Sequence, residues 1–331
     1  MAKCESYKGP IFDVQAHAIL PSSYSTVAAG IRKNVNLEQG TAETIADDIC
    51  VQLADDLEGD FRRKSLGQNG IQVVTINAFF PSLPADLIGI ASIPPAPILA
   101  TAGVAADGHS YTQKALSGLH RAITDLGLKG IMFASNYNGI FLGDAVYDPY
   151  FALAEELNVP VIIHPAVEPV ETPFVSRKNI PTYSGFLNDQ RTTLLDLILS
   201  GVYEKFPNIT IIATHLGGGI LTSLGRFRAL SKRFPHGTFF IDQSGQKKLL
   251  PKPVHEYIAK IYFDCNNADM ADIQHAASVV AHTHLLSGTD FPWTDDTYTR
   301  EVLGLVDPSI RSDIAYNNAA KLFHFPAFGS P

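Results

Sequence analysis

IFDVQAHAILP, from Ile11 to Pro21, is the stretch on which the fold turns. The run Ile11, Phe12, Asp13, Val14 has the length and apolar character of a strand. A carboxylate, an amide and an imidazole occupy alternate positions at Asp13, Gln15 and His17. Residues two apart in a strand project to the same side of the sheet. The stretch therefore predicts a strand that delivers three polar side chains to one place.

Outward from it, apolar runs of strand length recur as IQVVTINAFF (71–80), IGIASI (88–93), LKGIMFA (128–134), VPVIIH (159–164), ITIIATH (209–215), KIYFDC (260–265) and HLLSGT (284–289), making eight with the first. Most are nearly continuous rather than alternating, as strands buried on both faces are. Stretches of helical periodicity lie between most of them. Residues 41–57 carry Ile45, Ile49, Leu53 and Leu57 four apart, and 191–206 carries Leu194, Leu195, Ile198, Leu199 and Val202 on one face. Residues 112–126, 270–281 and 310–323 behave similarly. The pattern predicts a (β/α)8 barrel, an α/β fold, in a single domain over residues 1–331. An open doubly wound sheet is the alternative, and no GxGxxG follows any strand to support it. Five prolines between Pro81 and Pro97 mark loops there and predict a reduced second helix.

In a barrel the carboxyl ends of all strands share one face, where active sites of this fold are built. Asp13, Gln15 and His17 follow the first strand, His164 ends the fifth, His215 ends the sixth and Asp290 ends the eighth. A lone histidine at a strand end is more often structural than catalytic, and the Asp of GTD suits a helix cap. Agreement among four strand ends is what favours function. The other histidines fall in loops, on helices or before the eighth strand, and read as structural or solvent-facing.

The chain of 331 residues is 46% hydrophobic, enough for a substantial core. Its formal charge of −8, with no long basic run, argues against nucleic acid and anionic membranes as partners. Cys4, Cys50 and Cys265 lie far apart without a CxxC pair, which fits a reducing compartment and suggests neither disulfides nor a cysteine-zinc site. The start, MAKCESYKGP, lacks the apolar core of a signal peptide, and no segment reaches the roughly 18 to 20 apolar residues of a membrane span. A soluble, cytoplasmic protein is expected.

Taken in order, the motifs D-x-[H]-x-H, H-P, H-x-G-G and G-[ST]-D-[FWY]-P resemble those of the amidohydrolase-related metal enzymes. The similarity is to the decarboxylase branch typified by aminocarboxymuconate semialdehyde decarboxylase and 6-methylsalicylate decarboxylase. Here the matches read FDVQAHAILP, GIMFASNYNGIFLGDAVYDPYFALAEELNVPVIIHP, RTTLLDLILSGVYEKFPNITIIATHLGGGILTSLGRF and LLSGTDFPW, and NNAAKLF resembles the terminal helix. The resemblance covers most of the chain and weakens between Leu83 and His109.

By that resemblance, His17 and His164 look like ligands of a divalent metal, Zn2+ or Mn2+, and Asp290 like the ligand from the eighth strand. His215 resembles the histidine that moves protons beside the metal. Arg226, eleven residues after His215, resembles an arginine that reaches a substrate carboxylate across a homodimer interface. Asp13 matches the acidic position that opens the motif. The implied activity is decarboxylation of a small aromatic or unsaturated carboxylic acid, with Asp290 or His215 giving the proton. Tyr137, Tyr183, Phe291 and Trp293, in expected pocket loops, suit a flat substrate, or else simply pack those loops.

The departure is Gln15, which stands where the family has its first histidine. An amide oxygen serves zinc less well than imidazole nitrogen, so metal affinity is expected to fall. His17, His164 and Asp290 still supply two imidazoles and a carboxylate, the complement of many catalytic zinc sites, and Asp13 or the Gln15 carbonyl can complete the shell. In a second reading the site is metal-free, and the same groups act as plain acids and bases in another lyase, a hydrolase or a cyclase. A third reading, a catalytically silent binding protein, is opposed by the retention of His17, His164, His215, Arg226 and Asp290.

Overall fold

Among the described residues, eight strands form one parallel sheet. They are β1 (Phe12–Ala18), β2 (Ile71–Ile76), β3 (Leu87–Ser92), β4 (Ile131–Ala134), β5 (Val161–His164), β6 (Ile211–Ala213), β7 (Tyr262–Asp264) and β8 (Leu285–Leu286), hydrogen-bonded in that order. Beyond Leu286 the chain reaches back to the first strand. The Val14 N–H donates to the Ser287 carbonyl at 2.9 Å, and Asp13 and Ser287 form a parallel bridge. The sheet therefore closes on itself, the (β/α)8 barrel expected from the eight apolar runs. The computed structural model describes residues 6–18, 71–76, 87–92, 111–137, 139–165, 180–235, 237–290 and 296–325. The expected helix over 41–57 and the proline-rich stretch 81–97, apart from β3, lie outside them.

Helices separate the later strands: α1 (Tyr111–Thr124), α2 (Asp148–Glu156), α3 (Phe186–Leu199), α4 (Leu224–Arg233) and α5 (Met270–Val279), with α6 (Asp296–Leu305) following β8. The start of α5 is fixed by a capping box, in which Asp269 accepts from the Asp272 N–H and Asp272 accepts from the Asp269 N–H. The helix expected over 191–206 is interrupted. It ends at Leu199, and Gly201 turns left-handed at φ +71° before a short second helix, Val202–Lys205. A side chain at Gly201 would strike the Phe240 ring, so only glycine fits there. The terminal helix of 310–323 is similarly split by a π-helical turn at Asp313–Asn317.

The strands alternate between two cores. Val161, Ile163, Ile211, Ala213 and Phe263 pack with Leu194, Leu197 and Ile198 of α3 in the layer between sheet and helices. The intervening residues Phe12, Val14, Ile162, Ile212 and Leu286 point the other way, into the barrel, against Tyr316, Ala319, Ala320 and Phe323 of the terminal segment. Phe12 stacks on Phe323, with ring centroids 5.7 Å apart. This phase aims the next residues of the inward rows, His164 on β5 and Asp264 on β7, into the carboxyl end of the barrel. No described helix is long and apolar enough to cross a membrane. Cys265 is a buried free thiol, and Cys4 and Cys50 lie outside the described residues.

Alternation breaks down within β1. Asp13 pairs with Gln72 and Ala16 with Val74, so three steps of β1 match two of β2 and an extra residue is inserted between them. Strict period two is therefore interrupted between Asp13 and Ala16. Gln15 and His17 lie on β1, and their side chains are outside the described residues.

Candidate active site

His164, His215 and Asp290 come together from β5, β6 and β8. Their nearest ligand-capable atoms all lie within 4.8 Å of one another. His164 Nε2 is 3.6 Å from Asp290 Oδ1, and the His164 and His215 rings are 5.5 Å apart at 63°. His164 Nδ1 lies 2.8 Å from the Pro165 carbonyl. A carbonyl only accepts, so this contact puts the proton on Nδ1 and leaves the lone pair on Nε2, turned toward Asp290. Metal-ligating histidines are oriented this way. Two imidazoles and a carboxylate are also a donor set suited to a divalent cation. The residues present thus fit a metal.

His215 does not end its strand. The β6 ladder stops at Ala213, and the chain then enters a left-handed turn in which His215, Leu216, Gly217, Gly218 and Gly219 have φ of 50, 49, 64, 63 and 79°. Glycine is required at position 218, where a side chain would meet the Leu187 carbonyl of α3 at 2.0 Å. Asp290 is likewise left-handed, at φ 63°. Non-glycine residues seldom adopt this conformation, and it clusters at functional sites.

Buried polar groups beneath the site hold these backbones. The Gln190 amide of α3 donates from Nε2 to the Ile163 carbonyl at 3.0 Å and to Thr214 Oγ1 at 3.1 Å, bracing the residues just before His164 and His215. Asp189, beside it, accepts from Ser135 and, at 2.8 Å, from Asn136 Nδ2, tying α3 to the end of β4. Asp264 accepts the His215 N–H at 2.8 Å. Burial pushes the Asp264 carboxyl up to about 7. Hydrogen bonds from the Asn266 and His215 N–H groups oppose this shift, and the nearby Asp290 and Asp13 charges reinforce it.

Several expected site residues are placed differently. Asp13, read as completing a metal shell, is fully buried, and each of its oxygens accepts a hydrogen bond from Thr289. It lies outside the group of three and supports the segment that carries Asp290. Tyr137, read as a pocket residue, is core. It is 4% exposed, packs its ring 5.9 Å from that of Tyr147 and accepts the Ala134 N–H on its hydroxyl. Burial raises that hydroxyl above its ordinary value. Tyr183 is exposed, as is Arg226 on α4. Phe291 and Trp293, together with the Gln15 and His17 side chains, lie outside the described residues. Asp264 and Gln190 were not singled out from sequence. Asp264 is the last residue but one of the run KIYFDC, and a polar side chain near the end of an apolar run, as His164 is in VPVIIH, was the available signal.

Comparison with known proteins agrees with this geometry. The chain is similar to 2-amino-3-carboxymuconate-6-semialdehyde decarboxylase of Dictyostelium discoideum, at 27% identity over 55% of this chain and 48% of that protein. It is similar to 6-methylsalicylic acid decarboxylase of Penicillium expansum at 23%, over 55% of this chain and 54% of the relative. These matches span about half the length of each relative. Among solved structures, a dihydroxybenzoic acid decarboxylase from Polaromonas sp. JS666, with bound manganese and 2-nitroresorcinol, superposes with a TM-score of 0.71 at 16% identity, covering 96% of this chain and 97% of that one. The amidohydrolase family model matches residues 13–325, from the acid that opens the first motif to beyond the terminal helix. With its closed barrel and the His164, His215 and Asp290 cluster at the strand ends, the chain belongs to the amidohydrolase family.

Proposed function

We propose that the protein is a carboxy-lyase that decarboxylates a small aromatic or unsaturated carboxylic acid in the cytoplasm. The observation that carries this reading is the convergence of His164, His215 and Asp290 at the carboxyl end of the barrel. The named decarboxylases among its relatives support it. His164 and Asp290, with His17 from β1, would hold a divalent cation, zinc or manganese. When bound, that cation would supply Lewis acidity and orient the substrate carboxylate.

The chain's own groups do the rest. His215 or Asp290 delivers a proton to the carbon bearing the carboxylate, which becomes tetrahedral. The bond to the carboxylate then breaks, its electron pair returns to the conjugated system, and carbon dioxide leaves. The spent donor regains its proton from water, so one proton is consumed in each turnover. Arg226, exposed on α4, reaches a substrate carboxylate in the partner protomer of a homodimer.

The test is release of carbon dioxide from a panel of hydroxybenzoic and unsaturated acids by purified protein of measured metal content. Release that disappears on chelation and returns with zinc or manganese supports the reading. No release from any of these acids by metal-loaded protein would overturn it. Gln15 favours a second reading, in which the pocket works without metal as another lyase, a hydrolase or a cyclase. Activity that is indifferent to chelation would select it.

A further inference from the structure

We propose that Asp264 is a positioning residue for His215, and that Gly288 supplies the clearance it needs. This rests on the reading of His215 as a member of the metal and proton-transfer site.

Asp264 ends β7, is completely buried, and touches neither His164 nor Asp290 through a hydrogen bond. Its Oδ1 accepts two backbone N–H groups, that of His215 at 2.8 Å and that of Asn266 at 3.0 Å. One oxygen thus holds both the first residue of the left-handed turn after β6 and the turn after β7. His215 and Leu216 are non-glycine residues in that turn, and left-handed backbone is costly for a residue with a Cβ. Acceptance of the His215 N–H by the Asp264 carboxyl oxygen offsets that cost where the imidazole is anchored.

The second oxygen is the telling feature. Oδ2 is buried and has no hydrogen-bond partner among the described residues. It lies 3.1 Å from where a Gly288 Cβ would sit, and Asp264 Cγ is equally close. Gly288 is not among the left-handed glycines, and a Cβ there would press on the Asp264 carboxyl more closely than most real contacts, so the neighbour would have to shift. Gly288 also stands two residues before Asp290. Asp264 is therefore wedged between the segment that carries His215 and the segment that carries Asp290, and it sets their relative position.

Cobalt(II) is the probe, bound to wild type, Asp264→Ala, Asp264→Asn and Gly288→Ala, with thermal melting as the check that each is folded. Asp264→Ala should change the visible spectrum of the bound cobalt and weaken its binding by about 10- to 100-fold, the range for groups that orient ligands. kcat should fall while KM stays near its wild-type value. Asp264→Asn keeps an oxygen for the His215 N–H and should restore the spectrum and most of the affinity. Gly288→Ala, with Asp264 intact, should reproduce part of the Ala phenotype by displacing the carboxylate. If Asp264→Ala does not fold, the Asn and Gly288 variants decide. Wild-type cobalt spectra and affinities in the folded variants, or an Asn variant as impaired as Ala, would overturn the proposal. Cobalt signatures that move as expected in a protein that decarboxylates nothing would leave it standing and remove the decarboxylase reading instead.

Discussion

Asp13 and Thr289 are joined by two hydrogen bonds across 276 positions of sequence. The Thr289 N–H donates to Asp13 Oδ1 at 2.9 Å and the Thr289 hydroxyl to Oδ2 at 2.6 Å. The pair fastens the first strand to the segment after the last and fixes the residue next to the left-handed Asp290. Asp13→Ala leaves two buried donors unsatisfied where the barrel closes. It is expected to destabilise the fold by about 3 kcal/mol, measured by urea unfolding. Because Thr289 engages both Asp13 oxygens, metal bound at saturation by the folded variant should equal that of wild type. Loss of one equivalent would return Asp13 to the metal shell.

The three converging residues separate by role. His164→Ala and Asp290→Ala are expected to lose metal on dialysis, with turnover falling in parallel. His215→Gln should weaken the metal by no more than the 10- to 100-fold expected for Asp264→Ala, and lose turnover by about 10²–10⁴-fold, the usual contribution of a positioned proton donor. Elemental analysis of the same samples used for kinetics checks both. If His215→Gln loses metal as readily as His164→Ala, His215 is a ligand rather than a proton carrier.

How much of this was legible in sequence depends on which forces set each feature. The eight strands were, because burial on both faces leaves near-continuous apolar runs, and His164 was, because it ends such a run in phase with Ile162. The runs overstate the strands at their ends: His215 and Asp290 sit in left-handed turns beyond the ladder, and apolar content carries no mark of that. The inserted residue in β1 was invisible for a similar reason, since a bulge is defined only against the partner strand. Asp264 and Gln190 escaped because their partners are backbone groups from distant segments, which no local pattern reveals. Tyr137 misled because an aromatic residue just past a strand end looks the same in sequence whether it lines a pocket or packs beneath one.

The raised carboxyl of Asp264 makes the stability of the fold depend on pH. In the fold it keeps its proton up to about pH 7, against an ordinary 3.8, chiefly through burial. Between those values the folded chain holds a proton that the unfolded chain has released, so this group's contribution to stability declines as pH rises through that window. In metal-free protein, Asp264→Asn should remove that decline. Thermal melting of both proteins from pH 4 to 7 checks it, with the variant gaining on wild type as pH rises. The differential slope can be at most about 1.4 kcal/mol per pH unit. Parallel curves would mean that Asp264 is ionised throughout.

Arg226 is exposed on α4 and makes no ion pair among the described residues. If it serves a neighbouring protomer, Arg226→Ala should raise KM for a carboxylic acid substrate by about tenfold, the loss of one charge-assisted pair. Mixing Arg226→Ala with a His164→Ala variant should then restore activity, because a hybrid dimer contains one site with both wild-type residues. Absence of restoration in mixed dimers would confine Arg226 to its own protomer.

The substitution that sets this chain apart from its family's first motif is Gln15, and histidine at that position tests what the change accomplished. Imidazole nitrogen binds zinc more tightly than an amide oxygen does. If Gln15 is a weakened ligand, Gln15→His should raise metal occupancy after dialysis and slow its removal by chelator. If the glutamine instead hydrogen-bonds substrate in a site that works without metal, the same change should lower turnover even when metal is bound. The register shift between Asp13 and Ala16 adds a third outcome, because the regular alternation of β1 is interrupted next to Gln15. A Gln15 that faces away from the site would leave metal content and turnover both unchanged. Metal content and turnover measured together for wild type and Gln15→His distinguish the three, and the unchanged case would show that position 15 takes no part in the chemistry.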